Sequence, residues 1–360
     1  MRPGFLLHLG MAKAGSTAIQ EALAGYRDGA WEYLDLGEPN HSATLGLALL
    51  EAPPRRLYRS GEAGAQAAER EAARGRLLAA LPGERGAILS GEELSVAFRT
   101  REACEGVAAL LRGHARVVRG LAYVRDPASF ARSQFQQRLR LEAVRLDVGR
   151  LLPFYRRRFR PWVGALGEEG LALVDYGRAA GGPGGLVADL AARAGLERVP
   201  PARGRPNASL SAEAVAVLFA LRREDGAPPL HGPGRAANAR LLEMLSGFGR
   251  GRLGFGPGLM ERGLLRQAND LRWAERRIGT ALARLEAGAD VVVEGEGDLL
   301  DLAAGAAPAL AEWVEARGLG RAAAGEGAAA VLRGAARRLG EAPAPGGRLA
   351  RRVVGWLRRG

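Results

Sequence analysis

The sequence predicts an α/β fold: a mainly parallel sheet flanked by helices, followed by a helical C-terminal half. Three observations carry this prediction. Short apolar runs of strand length alternate with longer Ala-, Leu- and Arg-rich stretches of helical spacing over roughly the first 200 residues. The clearest runs end in turns that open a helix, one through glycines and one through Asp-Pro. Beyond residue 199 only one strand candidate remains and helical spacing dominates.

Residues 5–9 are an apolar run the length of a buried strand. Gly10 and Gly15 bracket a tight turn, and Ser16 and Thr17 open a helix through good helix formers. Residues 31–36 are a short mixed segment. A helix starts at 42 and is broken by Pro53-Pro54, and another spans 62–81 up to Pro82-Gly83. Residues 87–90 form a strand running into Gly91-Glu92-Glu93, and 101–112 form a helix. The next strand, 117–124, runs into Arg125-Asp126-Pro127. Asp126 suits a helix N-cap and Pro127 the first helical position, so a helix follows to about 146. Residues 151–166 are helical, 171–174 a strand, 181–185 a glycine loop and 186–194 a helix. In the second half 211–223, 236–245, 260–285 and 299–316 are helical, 247–258 is a glycine-rich loop, and 291–293 is a further strand. Ala, Gly, Arg and Pro dominate from about residue 320. The expected organisation is one domain over 1–318 and a basic tail over 319–360.

The chain has 360 residues, 47% of them hydrophobic, enough for a sizeable core. Its net charge is +13. That balance raises nucleic-acid, membrane and acidic-substrate partners. The arginines are scattered, however, and Ala, Gly and Arg enrichment fits a GC-rich bacterial genome. No nucleic-acid-binding module is recognisable. Cys104 is the sole cysteine, so no intrachain disulfide forms and a reducing compartment fits. The N-terminal apolar run is too short for a signal peptide, and no stretch approaches the ~18 apolar residues of a membrane span. These features read as a cytoplasmic protein. Residues 349–359 interleave apolar residues with arginines, which allows membrane-surface association but fits a docked helix or a free tail better.

The chemistry concentrates at two places. In His8-Leu-Gly-Met-Ala-Lys-Ala-Gly-Ser-Thr17, a strand, a glycine loop and a helix start together form an anion cradle, against the plainer reading of a strand–turn–helix. Lys13 reaches into that cradle and is the only lysine in the chain. A compact ammonium suits a phosphate charge in a way that arginine does not. The loop is not a nucleoside triphosphate loop, which needs Lys directly before Ser or Thr; here Gly15 precedes Ser16. In Tyr123-Val-Arg-Asp-Pro-Ala-Ser-Phe-Ala-Arg-Ser133, Arg125 ends a strand and Ser133 lies about two helical turns on, so a guanidinium and a hydroxyl can close on one phosphate. Both elements sit at the carboxyl ends of strands, where open α/β sheets bind ligands. No His, Cys, Asp and Glu spacing suggests a metal site.

At these two blocks the chain resembles the sulfotransferases that use 3′-phosphoadenosine 5′-phosphosulfate (PAPS). The first block is similar to their 5′-phosphosulfate loop and the second to their 3′-phosphate motif, with Ala87-Ile-Leu-Ser-Gly-Glu92 between them. The resemblance spans roughly residues 4–280. It implies the P-loop-like sulfotransferase fold, PAPS as co-substrate without a metal, and a small-molecule or carbohydrate acceptor. It further implies that Ala12, Lys13, Ala14, Gly15, Ser16 and Thr17 hold the 5′-phosphosulfate, and that Lys13 neutralises charge on the bridging oxygen. Arg125 and Ser133 would read the 3′-phosphate. Arg203 or Arg205, in the loop before Ser209 and Ser211, would assist there. Glu92 is the first choice for the general base, with Glu93 and His41 as alternatives. A nucleotide kinase or NTPase using the same loop, or a non-catalytic module that binds PAPS or its desulfated product, are the rival readings. The segment 154–162 reads as an amphipathic helix with its aromatics packed on the sheet, or as an acceptor grip.

Overall fold

The computed structural model describes residues 1–143, 145–201, 209–228 and 232–341. In chain order the elements begin with β1 (Arg2–Leu9), α1 (Ser16–Leu23), β2 (Trp31–Tyr33), α2 (Ser42–Leu49), a 3-10 turn (Arg55–Leu57), α3 (Ala63–Ala80) and β3 (Gly86–Gly91). There follow α4 (Glu93–Val96), α5 (Arg101–Arg112), β4 (Ala115–Val124), α6 (Pro127–Leu141), α7 (Val148–Leu151), α8 (Tyr155–Leu166) and β5 (Leu171–Asp175). The remainder is α9 (Tyr176–Ala180), α10 (Gly185–Ala194), α11 (Ala212–Asp225), α12 (Gly232–Leu245), β6 (Leu253–Phe255), α13 (Pro257–Arg266), α14 (Ala268–Ile278), β7 (Val291–Val293), α15 (Glu296–Glu315) and α16 (Ala328–Glu341).

The chain divides into two compact units, each built from three separate stretches. The sheet unit takes Met1–Asp126, Phe154–Pro206 and Gln267–Leu282; the helical unit takes Pro127–Pro153, Asn207–Arg266 and the chain from Ala283 onward. Two interleaved units leave no compositional seam for a linear reading to find.

The sheet unit is a five-stranded sheet in the order β2-β3-β1-β4-β5 with every pairing parallel. β1 lies at its centre, and Phe5, Leu7 and Leu9 on one face and Leu6 and His8 on the other are all buried, as a strand covered on both faces requires. Helix α1 packs with α10, and α5 packs with α8 and, like it, on β4. The run 31–36 contributes the edge strand β2. The expected helix over 151–166 is two helices with Pro153 between them, and Phe154 takes a left-handed φ of 54° just before α8.

The helical unit is organised around α11. Every residue from Ala214 to Leu221 is buried, so this helix is apolar all round and central to a helical core. Helices α6, α15 and α16 pack on α11, and Phe135, Phe219 and Phe255 meet at ring separations of 5.9–6.0 Å. The glycine-rich run 247–258 contains β6, which pairs in parallel with β7 as a separate two-stranded sheet. The strand at 291–293 therefore does not join the main sheet. The helix expected over 260–285 breaks at Gln267 into α13 and α14. Within the stretch read as a basic tail, α16 buries Ala328, Ala329, Val331, Leu332 and Ala335 against the core. The stretch 349–359 lies outside the described residues. No helix among the described residues is long and apolar enough to cross a membrane.

Candidate functional site

Three neighbouring strands of the sheet unit end at one place. β1 ends at Leu9, level with Gly91 of β3, and the Gly10 amide donates to the Gly91 carbonyl at 3.1 Å. A Cβ on Gly10 would lie 2.7 Å from Ser16 Oγ and 3.2 Å from Glu92 Cα, so a glycine lets the loop pass between them. The Ala14 amide then donates to the Met11 carbonyl at 3.0 Å, closing the turn. Gly15 has φ 75°, and a Cβ there would strike Leu186 at 2.3 Å. Lys13 is half-buried and itself adopts a left-handed φ of 62°. A side chain held in that region is uncommon and concentrates at ligand sites. α1 starts at Ser16, and its first-turn amides have no carbonyl within the helix. Ala12, Ala14 and Ser16 are buried, whereas Thr17 is exposed. The loop thus has the form of an anion cradle.

Arg125, at the end of β4, comes to the same loop. Its Nη1 donates to the Lys13 carbonyl at 2.6 Å, and its guanidinium lies 5.5 Å from the centre of the Tyr176 ring. The Tyr155 hydroxyl donates to the Arg125 carbonyl at 2.7 Å. Arg125 therefore fastens the lysine loop to the next strand.

Glu92 follows β3 directly. Its amide is held by Ser42 Oγ at 2.7 Å. Burial pushes its carboxyl pKa up, against the opposing pull of Arg158 and then Lys13. A carboxylate, the loop lysine and a second cation thus act on one another at the strand ends. Arg158 is the residue that sequence reasoning missed. Tyr155, Phe159 and Trp162 of α8 are buried, as expected for packed aromatics, and Trp162 Nε1 donates to the Leu94 carbonyl at 2.5 Å. Arg158 shares that helical face, spaced three from Tyr155 and four from Trp162, which was the available signal. The N-terminus of α8 is capped from far along the chain: Asp270 accepts from the amides of Tyr155 at 2.8 Å and Arg156 at 2.7 Å.

The two alternatives to Glu92 have other partners. Glu93 is buried and forms an ion pair with Arg56 at 2.7 Å. His41 is 1% exposed, stacks on Tyr33 at 4.5 Å, and accepts from the Ser90 amide through Nδ1. Burial lowers its pKa to about 4, so the ring is neutral. Beneath the loop, His8 and Gln20 both bond to Ser90 Oγ, at 2.8 and 3.1 Å, which ties α1 to β1 and β3. The Cys104 thiol is buried and its pKa raised by that burial, leaving it an inert core group.

Ser133 lies half-buried on α6 of the helical unit. Arg203 and Arg205 lie outside the described residues. Among the described residues no group of three or more His, Cys, Asp or Glu could hold a metal ion.

No family model matches the chain, and no curated protein does. Among solved structures the chain is similar to a sulfotransferase from Alicyclobacillus acidocaldarius, at 15% identity and a TM-score of 0.41, over 78% of this chain and 98% of that one. A likeness at that level carries no argument about activity, which has to be read from the site itself.

Proposed function

We propose that this chain transfers the sulfuryl group of PAPS to a hydroxyl or amine acceptor, with carbohydrates the first acceptor class to assay. The observation that carries the reading is the convergence of three adjacent strand ends on Lys13: β1 supplies its loop, β3 supplies Glu92, and β4 supplies Arg125 bonded to its carbonyl.

In this reading the amides of the loop and of the first turn of α1 receive the 5′-phosphosulfate, with Ser16 and Thr17 at the helix start. The acceptor oxygen or nitrogen attacks sulfur in line. The new bond to sulfur forms as the bond from sulfur to the bridging oxygen breaks, and adenosine 3′,5′-bisphosphate leaves. Lys13 stabilises the charge that collects on the bridging oxygen. Glu92 takes the acceptor's proton. Burial raises its pKa, which makes it a stronger base, and the charges of Arg158 and Lys13 oppose that rise. The assignment of Ser133 and Arg203 to the 3′-phosphate rests on the sequence.

The test is transfer of labelled sulfate from PAPS to a panel of glycans, alcohols, phenols and amines. It is paired with calorimetric titration of adenosine 3′,5′-bisphosphate against ATP with Mg²⁺. Transfer together with tighter binding of the bisphosphate is expected. Preferential binding of ATP would support a kinase or NTPase instead, and bisphosphate binding without transfer to any acceptor would support a non-catalytic module.

A further inference from the structure

The helical unit contains a cavity of about 430 Å³ formed by α11, α12 and α16, within the range of small-molecule sites. Its wall is apolar at Leu221, Pro228, Leu241 and Ala336. Its charged members are Arg222, Arg333, Arg337 and Asp225, three cations against one carboxylate. Arg333 is engaged by Asp225 at 2.5 Å and Glu224 at 2.8 Å. Arg337 forms no hydrogen bond or ion pair among the described residues and is exposed at the cavity.

Arg222 is the unusual member. It is 5% exposed, and no carboxylate bonds to it. Its Nε donates to the Leu139 carbonyl at 3.2 Å, and its Nη2 donates to Asn238 Oδ1. Asn238 is turned that way because its Nδ2 donates to the Arg140 carbonyl at 3.0 Å. Nη1 has no acceptor among the described residues, although the side chain lines the cavity. Burial lowers the guanidinium pKa to about 10, which still leaves it charged at neutral pH. The Asp225 carboxylate acts on Arg222 across the cavity but bonds to Arg333 instead. A buried cation hydrogen-bonded only to neutral oxygens is costly, and an anion beside it would offset that cost. Gly234, in the first turn of α12, also borders the cavity and presents the favourable end of a helix to negative charge.

We propose that this cavity is a binding site for a small amphipathic oxyanion, whose carboxylate, sulfonate or sulfate head sits on Arg222 Nη1 and Arg337 while its apolar body lies along Leu221, Leu241 and Ala336. The site is separate from the lysine loop, and the inference does not depend on sulfuryl transfer.

The test uses the full chain and three probes in calorimetric titration: naphthalene-2-sulfonate, 2-naphthol without the charge, and inorganic sulfate without the apolar body. Naphthalene-2-sulfonate is expected to bind at one site and at least about tenfold more tightly than either control. Arg222→Met and the cavity-filling Ala336→Trp are each expected to weaken it by at least about tenfold, and Arg337→Gln by about threefold. Lys13→Met leaves it unchanged, because the lysine loop is not the site. Equal binding of 2-naphthol or of sulfate overturns the proposal. So does binding that survives both Arg222→Met and Ala336→Trp, and so does binding that is lost with Lys13→Met instead. Cooperative thermal unfolding checks that each variant folds. Should Arg222→Met fail that check, Arg337→Gln and Ala336→Trp decide the matter by the same criteria.

Discussion

Two buried arginines, one in each unit, are held in opposite ways. Arg2 in the sheet unit is 2% exposed, and its five N–H donors meet five acceptors: the carbonyls of Ala80, Leu81, Pro82 and Arg85, and the Glu32 carboxylate. Arg222 in the helical unit is nearly as buried, yet it bonds to two neutral oxygens, its Nη1 has no acceptor among the described residues, and it lines a cavity. A fully matched guanidinium is a fastener. One with a donor left over beside open space is prepared for something the fold does not itself supply. At the strand-end site burial likewise works against a charge, that of the Glu92 carboxyl.

The largest effect that bears on this contrast is expected from Arg2→Met. It leaves four carbonyls and Glu32 without their donor, and thermal or urea unfolding should register a loss of about 3–5 kcal/mol. Lys13→Met comes next. Labelled-sulfate transfer should fall about 10²–10³-fold, in the manner of a lost transition-state charge, while the unfolding midpoint barely moves. Glu92→Gln should reduce transfer about 10²-fold and abolish its rise with pH. The base form gains with pH through the raised Glu92 pKa, so wild-type transfer climbs across that pKa and the variant stays flat. The same substitution should raise the melting temperature at neutral pH. A carboxyl with a raised pKa favours folding below its unfolded value and loses that contribution as pH rises through the folded one, so the neutral amide removes a cost. Arg222→Met should be the mildest in unfolding, within about 1 kcal/mol of wild type, because an apolar side chain of similar length replaces a poorly matched charge. A loss as large as that of Arg2→Met would erase the contrast between the two.

Much of the sheet unit is legible in the sequence. The apolar run before Gly10, the glycines around Lys13 and the Asp-Pro after β4 are local signals, and they mark β1, α1, β4 and α6. The order of the strands in the sheet is not local and cannot be read that way. β6 is three residues long and embedded in glycines, so no periodicity marks it. In α16 the buried Ala328, Val331, Leu332 and Ala335 are spaced three and four apart, but Ala-Gly-Arg composition masks the pattern. At the candidate site, Lys13 and Glu92 each follow a readable strand. Arg158 comes from a helix whose sequence reads as packed aromatics or as an acceptor grip, and its approach to Glu92 is visible only in three dimensions.

The cap on α8 has a consequence for how the protein is made. Asp270 follows Tyr155 by 115 positions, so at ~5–20 residues per second the helix bearing Arg158 leaves the ribosome on the order of ten seconds before its cap does. Through that interval the nascent α8 begins with amides that only solvent can satisfy. Chains arrested before residue 270 should therefore leave this segment open to protease, and release past it should close the segment.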